Sequence, residues 1–158
     1  MSSYAFGKSI EPAFDAAVDR VISELGKEGF GVLSQIDVAA TLKKKLGQDM
    51  PPYKILGACN PEFASQALAA EPQIGALLPC NMVVRVGAAG STQVEFMDPN
   101  AVLRLVDHPE VARLAGEVRL RLAKVMDALQ TNTRACMREH RKSPSKRWPL
   151  TVCRSARW

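Results

Sequence analysis

A chain of 158 residues with 47% hydrophobic and 23% charged residues has the balance of one globular domain that buries a sizeable core. Four Cys are too few for a disulfide scaffold, and no run reaches the roughly 18–20 apolar residues that a membrane-spanning helix needs. The net charge of +5 is unevenly placed: residues 1–130 carry 13 Lys and Arg against 15 Asp and Glu, whereas residues 131–158 carry eight against Glu139 alone.

The N-terminal residues show no basic start followed by an apolar run, so the expectation is a cytoplasmic protein with reduced thiols, away from any membrane. Tyr4, Phe6 and Lys8 open a short strand. Ser9 is a candidate cap for the next helix, with Pro12 in its first turn. Phe14, Ala17, Val18, Val21, Ile22 and Leu25 repeat at spacings of three and four, which predicts an amphipathic helix over about 11–28. Phe30, Val32 and Ile36 then alternate as in a well-buried strand. Asp37 caps a short helix that stops at Gly47. A second buried strand, YKILGA, runs into Asn60-Pro61, an N-cap followed by Pro at the first helical position. Phe63, Ala64, Leu68 and Ala69 are the expected buried stripe of that helix.

Residues 81–98 read as a hairpin around GAAGS. His108-Pro109 opens the last helix, whose stripe of Val111, Leu114, Ala115, Val118, Leu122, Val125, Met126 and Leu129 is the strongest periodic signal in the chain. The order of elements predicts an α+β fold: a largely antiparallel sheet backed by helices, formed by residues 1–130 as a single domain. Residues 131–158 are expected to be a basic, disordered tail. A nucleic-acid arm, with Trp148 and Trp158 stacking on bases, and a shifted reading frame are the other readings of that segment.

Chemistry concentrates in GACNP (57–61) and LLPCN (77–81). Cys59 directly precedes a helix start, where free N–H groups and the helix dipole favour an anion, so a functional thiolate there should titrate below the ordinary thiol value of about 8.5. Cys80 opens the next strand, and adjacency of the two strands would bring both thiols to one cleft. Both Cys can equally be small apolar fillers, with Asn60 and Asn81 capping backbone groups. Two thiols do not complete a four-ligand zinc shell within one chain, and no C-x-x-C, H-E-x-x-H or P-loop is present, so no metal residues are assigned and no cofactor is named. His108 reads as a helix-start residue and Lys43–Lys45 as the wet face of a helix. Asp37, Glu95 and Asp98 lie near strand ends without forming a recognisable acid–base pair.

GFGVL, ILGACNP and LLPCN, in this order and spacing and together with the final helix, resemble the domain of unknown function 302 family over about residues 4–129. The family's characteristic Gly57, Cys59, Asn60, Pro61, Pro79, Cys80 and Asn81 are all present. The resemblance implies a curved antiparallel sheet backed by helices, like that of the TATA-box-binding protein, often in a homodimer, and no established reaction. It does not imply DNA binding, because fold alone does not carry function.

Three functions remain open. The first is binding of a small anionic or thiol-reactive ligand, or a metal, at a pocket of Cys59, Asn60, Cys80 and Asn81. The second is a thiol-dependent enzyme or redox protein that attacks with Cys59 and resolves with Cys80. The third is a structural, dimeric interaction module. Partners are accordingly a second copy or a small molecule, with nucleic acid expected only at the tail.

Overall fold

The computed structural model describes residues 3–88 and 90–129. The tail of residues 131–158, and with it all three readings of that segment, lies outside the described residues. Five strands form one sheet: β1 (Ala5–Ile10), β2 (Gly31–Asp37), β3 (Tyr53–Cys59), β4 (Cys80–Val86) and β5 (Thr92–Met97). Their order is β1-β5-β4-β3-β2, and every neighbouring pair is antiparallel. The α+β architecture expected from the sequence is therefore the one observed.

The helices are α1 (Phe14–Lys27), α2 (Val38–Leu46), α3 (Pro61–Ala70), α4 (Pro99–Val102) and α5 (Pro109–Ala128). Alternation along the strands sends Leu56, Ala58, Met82, Val84, Val94 and Phe96 to one face of the sheet, where all six are fully buried. The facing layer is the α5 stripe from Val111 to Leu129, every member of which is buried, together with Ala17, Val18, Val21 and Leu25 of α1. Basic side chains tie the end of α5 to its neighbours. Lys8 donates to the Met126 carbonyl, and Arg20 Nη2 donates to the Ala128 carbonyl at 2.9 Å. These donors satisfy carbonyls that the last turn leaves without helical partners. Further back along α5, Arg119 stacks 3.5 Å from the Phe6 ring centre and donates to Asp98.

Three local expectations are corrected. Ser9 does not cap α1; it lies in β1, where its Oγ accepts from Gln93 Nε2 at 2.6 Å. The helix starts later, at Phe14, and Ala13 offers no capping side chain. The preceding turn is instead held by Thr92, whose Oγ1 donates to the Pro12 carbonyl at 2.8 Å. Second, β2 is not well buried. It is an edge strand with no buried residue, and Leu33 and Ile36 are exposed. A bulge between Val32 and Ser34 breaks the alternation on which the sequence reading relied. Third, α3 buries Phe63 and Ala67, while Leu68 and Ala69 face outward. Its apolar composition left the rotational phase ambiguous.

Other local signals hold. Asp37 Oδ1 accepts from the Ala40 N–H at 2.8 Å, and Gly47 closes α2 at φ +67°. His108 Nδ1 accepts from the Glu110 N–H at 3.2 Å, as a helix-start residue should. The same arrangement of cap then Pro opens two elements that the sequence reading passed over. Asp98-Pro99 starts α4, and Glu71-Pro72 starts a 3₁₀ turn over Pro72–Leu77.

The phase of α5 gives a direct test. Leu122 is fully buried and Leu120 is 67% exposed. Leu122→Ala should cost about 2–5 kcal/mol in denaturant unfolding, whereas Leu120→Ala should stay within about 0.5 kcal/mol. Equal losses would show that the helix face is wrongly assigned.

Candidate functional site

The site forms where β3 ends and β4 begins. Ala58 pairs with Cys80 and Gly57 with Asn81 across the two strands. Cys59 is therefore one residue beyond the Ala58–Cys80 pair. The chain then enters α3 through Asn60, which is 5% exposed. Asn60 Oδ1 accepts from the Glu62 N–H at 3.0 Å and the Phe63 N–H at 3.3 Å. The first-turn donors that were expected to favour an anion are thus occupied by the protein itself.

Two glycines allow this packing. Gly29 has φ +81°, and a Cβ there would approach Asn60 Nδ2 to 2.9 Å. Backbone conformation and space therefore both exclude a side chain at residue 29. At Gly57 a Cβ would meet Ser34 Oγ at 2.4 Å and Pro79 Cγ at 2.7 Å. The Ser34 and Pro79 side chains close over the bare strand at that point. The Leu78–Pro79 peptide bond is cis.

Cys59, Asn60 and Cys80 line one cavity of about 30 Å³. The rest of its wall is carbon: Phe30, Phe63, Ile74, Leu78 and Leu114 are among the lining side chains. One water needs roughly 10–15 Å³ of such space, so the cavity has room for a very small guest. Asn81 does not line it. Cys80 and Met82 on either side are buried against the helices, and Asn81 lies exposed on the opposite face of the sheet. The structure thus brings together three of the four sequence candidates.

The apolar wall is what the sequence reading missed. Its residues come from β2's approach, α3, the 3₁₀ turn and α5, and each reads in the sequence only as a core position. Arg121 also escaped notice. It donates to the Glu28 carbonyl at 3.2 Å, and its guanidinium sits 5.0 Å from the Phe63 ring centre.

Burial sets the electrostatics. The Cys59 thiol is pushed above its ordinary value by desolvation, partly offset by its contact with the Asn60 backbone. Cys80 is pushed up to about 12, first by burial and then by the nearby Cys59. The depressed Cys59 value expected of a functional thiolate is therefore reversed. With the Glu62 and Phe63 N–H groups already capped, the Asn60 backbone contact offsets only part of the cost of a charge at Cys59. Both groups are neutral thiols at pH 7.

The acidic candidates have structural partners instead. Asp37 caps α2, and Asp98 caps α4 and accepts from Arg119. Glu95 takes a bidentate pair from Arg85 at 2.8 and 2.9 Å, which holds its carboxyl below the usual range. Lys43, Lys44 and Lys45 are exposed on α2, and Lys43 pairs with Asp49 at 2.6 Å. Among the described residues no group of three or more His, Cys, Asp or Glu is placed to hold a metal ion. No helix of the described residues is long and apolar enough to cross a membrane. A second and larger cavity, of about 460 Å³, lies beside Arg104, Asp107 and His108. Of the sequence candidates only His108 borders it, and its Nδ1 is committed to the α5 cap.

An antiparallel five-stranded sheet with helices on one face and a cavity at one strand end, bordered by Cys59 and Cys80, defines a small α+β domain. The family model described as "Domain of unknown function DUF302" matches residues 6–129. The chain belongs to that family, as the GFGVL, ILGACNP and LLPCN motifs suggested. It is similar to the crystal structure of an uncharacterized conserved DUF302 protein from Bacillus stearothermophilus. The TM-score is 0.74 at 29% identity, over 80% of this chain and 98% of that chain. No curated protein matches the chain.

The raised thiol values make a kinetic prediction. In a Cys136→Ser/Cys153→Ser background, iodoacetamide should modify native Cys59 more slowly at pH 7 than it modifies a free cysteine. The rate should keep climbing as the pH rises past the ordinary thiol value, because the reactive thiolate appears only there. A plateau reached below pH 8 would mean a stabilised thiolate and would contradict the neutral site.

Proposed function

We propose that this domain binds a very small, uncharged or thiol-reactive ligand in the cavity between β3, β4 and α3. One observation carries this reading: Cys59 and Cys80, separated by 20 residues of sequence, line the same apolar cavity. The anionic ligand considered from the sequence is not retained. Among the described residues no basic side chain lines the cavity, and Asn60 has taken the N–H groups that would have held the anion. The thiols provide a reactive or polarisable handle in an otherwise hydrocarbon wall. Thiol-dependent catalysis has less support, because a nucleophilic Cys needs a lowered pKa or an adjacent base, and Cys59 has the opposite shift.

Neutral methyl methanethiosulfonate and its anionic sulfonatoethyl analogue, applied to the Cys136→Ser/Cys153→Ser protein, test this reading. The neutral reagent should modify Cys59 at least about tenfold faster, because the charged one must enter hydrocarbon. Xenon under pressure should slow the neutral reaction by occupying the cavity. Equal rates with both reagents, or indifference to xenon, would remove the ligand-binding reading.

A specific surface supports homodimerisation alongside binding. The β2–α2 unit, residues 31–46, contains no buried residue. Leu33, Ile36 and Leu46 are exposed there, and among the described residues no strand pairs with the outer edge of β2. A nine-residue helix is marginal without burial. A two-fold contact with a second copy would cover the same patch on both subunits at once. Leu33→Asp/Ile36→Asp should then convert a dimer to a monomer in light scattering while leaving the far-ultraviolet circular dichroism unchanged. A monomeric parent, or a variant that stays dimeric, would place any interface elsewhere.

A further inference from the structure

We infer that the cavity of about 460 Å³ between the α4 segment and α5 is a binding site for a zwitterion with an apolar body, an α-amino acid with a large hydrocarbon side chain. The site goes beyond the reading above, since among the described residues it shares only Leu103 with the cavity at Cys59. Its size suits a small organic molecule, for which pockets run from roughly 300 to 1,000 Å³. The charges decide the class. Arg104 and Asp107 both line the cavity, and among the described residues neither side chain takes part in an ion pair. A bare anion placed there would face Asp107 without a partner for it, and a bare cation would face Arg104 in the same way. A ligand that carries both charges answers both.

The surrounding chain is held in place from both sides. Asp98 Oδ1 accepts from the Asn100 N–H at 2.9 Å, and Asp98 Oδ2 accepts from Arg119 Nε of α5 at 3.1 Å, which fixes α4 against α5. Arg104 sits on a 3₁₀ turn, Leu103–Leu105. The Val106 N–H then donates to the Leu103 carbonyl at 3.1 Å and the His108 N–H to the Val106 carbonyl at 3.0 Å, so the segment carrying both charges turns directly into α5. The guanidinium fork of Arg104 matches a carboxylate, and the Asp107 carboxylate accepts from an ammonium. His108 adds a donor: its Nδ1 accepts from the Glu110 N–H, so the ring is neutral and its proton is on Nε2. Leu103 and Val106 offer hydrocarbon to the body of the ligand. Ala112 and Ala115 present only methyl groups from α5, which leaves the space open.

The test titrates the full chain with phenylalanine at millimolar concentration, followed by calorimetry and by amide chemical shifts. Two analogues each delete one charge: 3-phenylpropanoate lacks only the ammonium, and 2-phenylethylamine lacks only the carboxylate. Phenylalanine should bind once per chain and shift amides of residues 103–115, and each analogue should bind at least about tenfold more weakly. Arg104→Met and Asp107→Asn, both at exposed positions, should each weaken phenylalanine by a similar factor. Ala112→Phe, on the exposed side of α5, should fill the cavity and abolish binding. Absence of phenylalanine binding would overturn the inference. So would 3-phenylpropanoate binding as tightly as phenylalanine with no loss in Asp107→Asn, which would make this a plain anion site. Undiminished binding by Ala112→Phe would place the ligand elsewhere on the chain. None of these outcomes touches the Cys59 cavity, whose own test is the thiosulfonate and xenon comparison.

Discussion

The start of α3 poses a problem of backbone satisfaction. Its first N–H groups have no helical partners, and they emerge beside two thiols in a hydrocarbon wall. Asn60 solves it by turning its side-chain oxygen onto the Glu62 and Phe63 N–H groups. Much of the local structure follows. Gly29 must lack a side chain to make room for the Asn60 amide, and Pro61 can take the first helical position because its missing N–H is not needed. Phe63 is fixed over the cavity, with Arg121 stacked near its ring. The thiols meanwhile stay neutral, because burial outweighs the one backbone contact that favours a Cys59 thiolate.

That division of labour leaves Cys59 without the lowered pKa that activates a nucleophilic thiol. A nucleophilic thiolate depends on the same helix-start dipoles that Asn60 occupies here. The cavity therefore lies in an apolar wall beside cysteines that stay neutral at pH 7.

The sheet is asymmetric in a way that bears on assembly. One face is sealed by α1 and α5, and the polar groups of the other include the Arg85–Glu95 pair. The β2 end is exposed, and the bulge after Val32 interrupts the regular edge. Bulges of this kind discourage unlimited edge-to-edge pairing. In the dimer proposed above, the apolar residues nearby would make the contact through side chains.

The sequence by itself determined the elements whose signal is local or strictly periodic. The α5 stripe repeats over more than five turns and can bury only one face. Asp37, Asn60 and His108 cap helices through contacts two or three residues away, and GAAGS can only reverse the chain. The GACNP and LLPCN motifs marked the place of the site for the same reason, since each joins a strand to a turn. Tertiary structure decided what depends on distant neighbours. It made β2 an edge although its composition suits a centre, and it chose Ala67 over Leu68 for the inner face of α3. It also sent Asn81 to the opposite face from Cys80, because alternation has a meaning only once the helices choose a side. Above all, it set the ionisation of Cys59. A helix start beside a thiol looks in sequence like a source of stabilising dipoles, but burial and the occupation of those dipoles by Asn60 are properties of the packed chain, and they reverse the sign of the shift.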